Sequence, residues 1–249
     1  MAVPEAARGI TAVVVTYNPD PARLAQLCEA VQPQVEHVVL VDNGSSTEAL
    51  AALQALVEGS SSALTLLPLG ENRGIGAAQN AGIALARQRD SRYVLLLDHD
   101  SIPEAGMVAT LRAAIENQPA GSPPVAAAGP RYADARQTTN PSPFVQLEGF
   151  KRVRCECRHA GQLIEVEHLI ASGSLIPTAV LDAVGDMDER LFIDYVDIEW
   201  CLRAAHAGYR MLGVCDARMQ HELGDTPIRF MGKHLPDHSP LRHYYLFRN

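Results

Sequence analysis

YVLLLDHDSIP, residues 93–103, carries an apolar run straight into two aspartates separated by one histidine. The run reads as a buried strand, which leaves Asp98 and Asp100 at its tip. Carboxylates beside an apolar layer repel each other and lose hydration, so they are usually kept where a cation satisfies them. Working outward, the same strand-to-polar-tip pattern recurs. TAVVVTYNP (11–19) is a buried strand broken by Asn18-Pro19, after which Leu24, Leu27, Cys28 and Val31 recur at helical spacing. HVVLVDNGSS (37–46) is a second strand running into a turn, followed by Leu50, Leu53, Leu56 and Val57 on one helical face. LTLLPL (64–69) offers a third strand, and NRGIGAAQNAGIALARQR (72–89) a glycine-led helix with arginines in its last turn, where they suit the helix dipole. Ser101–Glu104 has the form of a capping box opening a helix that carries Met107, Leu111 and Ile115.

Strand and helix in alternation predict an α/β fold, a Rossmann-like, mostly parallel sheet with helices on both faces. In open sheets of this kind ligands sit beyond the carboxyl ends of the strands, where Thr16-Tyr17, Asp42-Asn43 and Asp98-His99-Asp100 all fall. Three polar tips are expected on one rim.

Beyond about residue 118 the pattern changes, to a smaller, antiparallel part. NQPAGSPPVAAAGP and TTNPSPF read as loops around a short strand near Val125 to Ala128. RVRCECR (152–158) alternates as an antiparallel strand with one wet face, and HLIASGSLIP (168–177) looks like another strand. Thr178 to Val184 is a short helix closed by Gly185. Ile198, Cys201, Leu202 and Ala205 form a helical stripe ending at Gly208, before a final strand at Tyr209 to Val214.

Composition narrows the function. The 249 residues carry 21 basic and 29 acidic side chains, net −8, which argues against a nucleic-acid partner. Five cysteines with no CxxC pair suggest a reduced, cytoplasmic setting. The opening MAVPEAARGI lacks a secretory pattern, and no apolar stretch reaches the roughly 18 residues that span a bilayer. A soluble protein, at most attached to a membrane surface, is expected.

VVVTYNP, VDNGSS, ENRGIGAAQNAGI, LLLDHDS, FIDYVDIEWCLRAAHAGY and HELGD, in this order, resemble the inverting glycosyltransferases of family 2 with the GT-A fold, most of all bacterial rhamnosyltransferases. The likeness runs from about Thr11 to Asn249. It implies one GT-A domain over 1–249, with a nucleotide-binding half at about 1–118 and an acceptor-binding half at about 119–249. It also implies transfer of a sugar, rhamnose from dTDP-rhamnose, to a polysaccharide such as O-antigen or to a lipid-linked glycan, with Mg²⁺ or Mn²⁺ as cofactor. The donor would be dTDP- or UDP-linked.

The resemblance assigns the residues as follows. The Asp-x-Asp motif gives Asp100 to the metal, and Asp98 to the ribose or the metal's water shell; both could instead cap the following helix, although Ser101 already offers a cap. Asp42 would accept a hydrogen bond from N3 of uracil or thymine, with Thr16 and Tyr17 as the other wall and Asn43 beside it; Asp-Asn-Gly-Ser is also a ready turn. Arg73 could pair with the diphosphate or be solvated. Asp197 falls where the family places its catalytic base, although Val196 occupies the first position of the usual acidic pair. Asp194, Glu199 and Trp200 are acceptor-side candidates; Asp194 could equally be a helix cap and Glu199 the i,i+4 partner of Arg203. His221 matches a family histidine that completes the metal site.

Other features are weaker. Cys155, Cys157, His159 and His168 lack zinc-site spacing and read as core or idle groups. Lys151, Arg152, Arg154 and Arg158 could be a solvated face, or could meet a lipid diphosphate or an anionic membrane as a peripheral contact. A nucleotidyltransferase is the enzyme alternative, though the N-terminus lacks its glycine-rich basic signature. A non-catalytic sugar-nucleotide-binding protein is hinted at by Val196.

Overall fold

The computed structural model describes residues 4–60, 63–133, 144–148, 151–221, 228–230, 233–235 and 240–249. The first half runs β1 (Ile10–Thr16), α1 (Pro21–Val31), β2 (His37–Asp42), α2 (Thr47–Glu58), β3 (Leu64–Pro68), α3 (Ile75–Gln88), β4 (Tyr93–Asp98), β5 (Ser101–Pro103) and α4 (Met107–Glu116). The second runs β6 (Val125–Ala133), β7 (Val145–Glu148), β8 (Lys151–Arg154), β9 (Leu163–Val166), β10 (Leu175–Pro177), α5 (Thr178–Val184), α6 (Val196–His206), β11 (Arg210–His221), β12 (Ile228–Phe230), β13 (Lys233–Leu235) and α7 (Pro240–Arg248).

One sheet of nine strands, in the order β3-β2-β1-β4-β10-β6-β11-β5 with β9 also on β11, organises the molecule. Its first four strands are parallel. The apolar runs explain why: β1 and β4 are buried on both faces. Ile10, Ala12, Val14, Leu95 and Leu97 join α1, α2 and α4 in one core layer through Leu24, Leu53 and Leu111. Val13, Val15, Val94 and Leu96 join α3, α5 and α6 in the other through Ile83, Leu181 and Trp200. Such two-sided burial needs helices on both faces, and these residues supply them. Asp20 caps α1 by accepting from Arg23 N, with Pro21 at the first helical position, and Ser46 caps α2.

Several local expectations are corrected. Ser101 caps no helix: Ser101–Pro103 pairs with β11 as a strand, and α4 starts after Gly106 in a left-handed conformation. HLIASGSLIP is a strand only at Leu175–Pro177, because the preceding backbone turns to carry Ser172 to the rim. RVRCECR is extended only as far as Arg154. The buried face of α6 is Val196, Trp200, Cys201 and Ala204, whereas Leu202 is 50% exposed; the helix is rotated so that its one tryptophan fills the core. The last predicted strand continues to His221. Cys157 is not idle, since it is disulfide-bonded to Cys215 on β11, which overturns the expectation of uniformly reduced thiols. The TTNPSP loop and Glu222 to Asp225 lie outside the described residues.

Candidate active site

Register puts the polar tips side by side: Thr16 lies opposite Asp42, and Val15 opposite Asp98. Asp42 is 1% exposed, and its two oxygens have different surroundings. Oδ2 accepts from Ser45 N at 3.2 Å, the expected turn, while Oδ1 is buried with no hydrogen-bond partner. A buried acceptor left open at a strand tip is an unmet demand for a donor. Tyr17, 48% exposed, stands at the rim. Thr16 does not wall the pocket: it is fully buried, and its hydroxyl bonds to Val41 O.

Asn43 acts through the neighbouring loop rather than by facing outward. Its amide Nδ2 donates to Asn72 Oδ1 at 3.1 Å, its Oδ1 accepts from Arg73 N at 2.9 Å, and Asn72 Oδ1 also accepts from Gly74 N. Gly44, at φ 84°, is what lets the two loops meet: a Cβ there would lie 2.4 Å from the Glu71 backbone. The brace holds Asn72–Gly74 at the start of α3, with the Arg73 side chain exposed beside it.

Around Asp98 and Asp100, β4, β5 and β11 converge. The ligand atoms that Asp98, Asp100 and His221 offer lie within 4.8 Å of one another, and His221 Nδ1 is 3.1 Å from Asp100 Oδ1. Two carboxylates and one imidazole suit a divalent ion such as Mg²⁺ or Mn²⁺, so the residues fit the implied cofactor. Burial, joined by the charge of Asp100, pushes the Asp98 carboxyl above its usual range despite His221 and His99. Burial also opposes ionisation of Asp100, but the His221 hydrogen bond and the charges of His221, His99 and Arg23 outweigh it and hold that carboxyl low.

Two residues of this site escaped the sequence reading. Ser172 Oγ accepts from Asp98 N at 2.9 Å and bonds Ser101 Oγ at 2.7 Å, which in turn bonds His221 Nδ1 at 2.8 Å. Arg23, on α1, donates to Asp100 O at 2.8 Å. Neither carried a spacing signal, because each acts through backbone brought together by folding.

Asp197, in the first turn of α6, is held by two amides: Oδ1 accepts from Ile198 N at 2.9 Å and Oδ2 from Ala171 N at 3.3 Å. Ala171 adjoins Ser172, so one short segment ties Asp197 to the acidic cluster. Burial raises the Asp197 carboxyl despite these bonds and the His168 charge, which makes it a stronger proton acceptor than an ordinary aspartate. The acceptor-side candidates are placed otherwise. Trp200 is 2% exposed in the core and donates Nε1 to Gly185 O, so it is out of reach of an acceptor. Glu199 forms the i,i+4 pair with Arg203 at 2.8 Å. Asp194 is no cap; it pairs with Arg242 at 2.9 Å.

A parallel nucleotide-type sheet with an Asp-Asp-His cluster and a third carboxylate, Asp197, tied to it defines the class of GT-A glycosyltransferases. The family model "Glycosyl transferase family 2" matches residues 11–159. The chain is 32% identical to dTDP-rhamnosyl transferase RfbF of Shigella flexneri over 241 residues, which is 96% of this chain and 78% of that protein. The chain belongs to glycosyl transferase family 2. Its fold is similar to that of GalNAc-T7, solved with UDP, GalNAc and Mn²⁺ (TM-score 0.71, 16% identity, 95% of this chain and 46% of that one). It is also similar to the mannosyltransferase PcManGT of Pyrobaculum calidifontis, solved with GDP-Man and Mn²⁺ (TM-score 0.61, 17% identity, 87% of this chain and 57% of that one). The chain thus spans about half the length of these structures. Among the described residues, no helix is long and apolar enough to cross a membrane.

Proposed function

We propose that the chain is a metal-dependent, inverting rhamnosyltransferase that uses dTDP-rhamnose and acts on a polysaccharide or lipid-linked glycan. The observation that carries this reading is the convergence of Asp98, Asp100 and His221, the last more than a hundred positions further along the chain, on the same rim as the open oxygen of Asp42, with β1 between them. The dTDP and rhamnose assignments draw on the RfbF relative. Asp42 Oδ1 accepts the N3–H of thymine, with Tyr17 at the pocket mouth, and the Asn72–Gly74 loop with Arg73 faces the diphosphate. A divalent cation held by Asp98, Asp100 and His221 would supply charge stabilisation at the departing diphosphate.

In the transfer itself, an acceptor hydroxyl oxygen bonds to the sugar's anomeric carbon as the bond from that carbon to the diphosphate oxygen breaks. The hydroxyl proton passes to the Asp197 carboxylate, and the nucleoside diphosphate leaves. One displacement inverts the centre, so a single base suffices, and Val196 in place of an acidic residue removes nothing the step requires. The exposed basic residues Lys151, Arg152, Arg154 and Arg158 suit an acceptor on a lipid diphosphate, met at the cytoplasmic face of the inner membrane.

A thermal-shift screen of sugar nucleotides tests the assignment. dTDP-rhamnose with Mn²⁺ should raise Tm more than UDP- or GDP-sugars at equal concentration, and neither component should match the pair, since stabilisation grows with the logarithm of saturation. A larger shift with a GDP-sugar would overturn the donor assignment.

A further inference from the structure

Between the single 3₁₀ turn Glu189–Leu191 and α6 the chain adopts backbone conformations that side chains seldom tolerate. Phe192, Asp194 and Tyr195 have φ of 60°, 62° and 61°, and none is glycine. Such conformations persist only where the surroundings over-determine them, and they cluster where geometry matters to function.

The surroundings here are α7 on one side and α3 on the other. Arg242 Nη2 and Nε reach the Asp194 carboxylate at 2.9 to 3.3 Å, in a partly buried pair. The Tyr245 ring stacks on Phe192 with centroids 4.6 Å apart and planes 14° apart. Asn249 Nδ2 donates to the carbonyls of Leu191, Ile193 and Asp194 at 2.7, 2.9 and 3.3 Å, and Arg248 donates to that of Arg190. From the opposite side Ile75 N donates to Phe192 O at 2.6 Å, and Gly74 fits only because a Cβ there would stand 2.6 Å from the same oxygen.

The clamped segment leads directly into Asp197. Tyr195 is the residue before α6, its carbonyl accepts from Glu199 N at 2.8 Å, and Asp197 lies two positions on. At its other end the segment touches the first residue of α3, immediately after the Asn72–Gly74 loop. A single strained turn therefore joins the two sides of the rim.

We propose that Arg242 and Asn249 are positioning residues for Asp197: α7 locks the left-handed turn Phe192–Tyr195, and the turn sets where α6 begins. The inference rests on Asp197 being the general base. It gives Asp194 a role as the handle that α7 grips rather than as an acceptor ligand. Loosening the grip should leave the sheet intact and free the start of α6, with the Ala171 and Ile198 amides that hold the base.

Hydrogen exchange on Arg242→Gln and Asn249→Ala tests this without substrate. In at least one variant, fragments covering 190–199 and Ala171 should exchange about tenfold faster or more, with β1 and β4 unchanged, because local opening need not unfold the core. In dTDP-rhamnose turnover the same variant should lose kcat about tenfold with donor KM within about threefold, the rate being referred to the folded fraction measured by circular dichroism, because loss of folded protein alone would lower an uncorrected kcat in the same way. Exchange within twofold of the parent in both variants, or an equal rise over β1 and β4, would overturn the proposal. An Asp197→Asn protein that keeps turnover would bring down the base reading and this inference with it. Unchanged exchange beside a dead Asp197→Asn would bring down this inference alone.

Discussion

Asp42→Asn should change which base the protein accepts. The turn survives, because the new amide oxygen can still accept from Ser45 N, now bonded at 3.2 Å. The amide nitrogen then takes the place of Oδ1, the buried oxygen that has no partner. Thymine and uracil present N3–H there, so a charge-assisted acceptor is replaced by a donor. Losing a hydrogen bond to a charged group costs about 1.5–3 kcal/mol. At about 1.4 kcal/mol per decade, affinity for dTDP and UDP should fall roughly 10- to 150-fold. Cytosine presents an acceptor at N3, so CDP should gain relative to both. Isothermal titration of dTDP, UDP and CDP in the presence of Mn²⁺ reads all three numbers. A dTDP affinity within twofold of the parent would show that the open oxygen of Asp42 does not meet the base.

Asp197→Asn should lower kcat roughly 10²- to 10⁴-fold with donor affinity near the parent's; because burial raises this carboxyl, the parent's kcat should fall with decreasing pH already above the usual carboxylate range, as the base takes up its proton. The variant also leaves one of the Ala171 and Ile198 amides facing an NH₂ group, a cost of about 1–3 kcal/mol partly offset by removing a desolvated charge, so its Tm should drop only slightly. Reducing the Cys157–Cys215 bond, which closes a loop with a sequence separation of 58, should cost about 2–4 kcal/mol in urea unfolding, and Cys157→Ser should become insensitive to reductant. Burial first, then the Arg89 charge, lower the His37 pKa from 6.5 to about 4. His37 therefore favours folding above pH 6.5, and that contribution, at most about 3 kcal/mol, is lost as the pH falls towards 4; urea titrations should show a shallower acid slope in His37→Gln.

The first half of the fold was legible because two-sided burial writes itself into sequence as unbroken apolar strands, as in β1, β2 and β4. Their tips follow from strand order, so the sequence alone puts Asp42, Asp98 and Asp100 on one rim, and the register agrees. Side-chain direction could not be read. Thr16 adjoins exposed Tyr17 and Trp200 adjoins half-buried Glu199, yet both point inward, since one residue of helical or strand rotation separates rim from core. Ser101 carried a true capping pattern and a competing strand pairing to β11, and the long-range pairing won. Asn43, Ser172 and Arg23 act on backbone far away in sequence, a relation that no local spacing encodes. The disulfide joins a loop to a strand across the second half, where short irregular strands left little periodic signal.

The central claim is tested most directly by dTDP release from dTDP-rhamnose, with water as the acceptor, after chelation and return of Mn²⁺. The parent should turn over only when the ion is restored, and Asp100→Asn should fail to respond while remaining folded. Equal turnover by the chelated parent, or a full Mn²⁺ response in Asp100→Asn, would contradict an account in which Asp98, Asp100 and His221 hold the ion that serves the transfer.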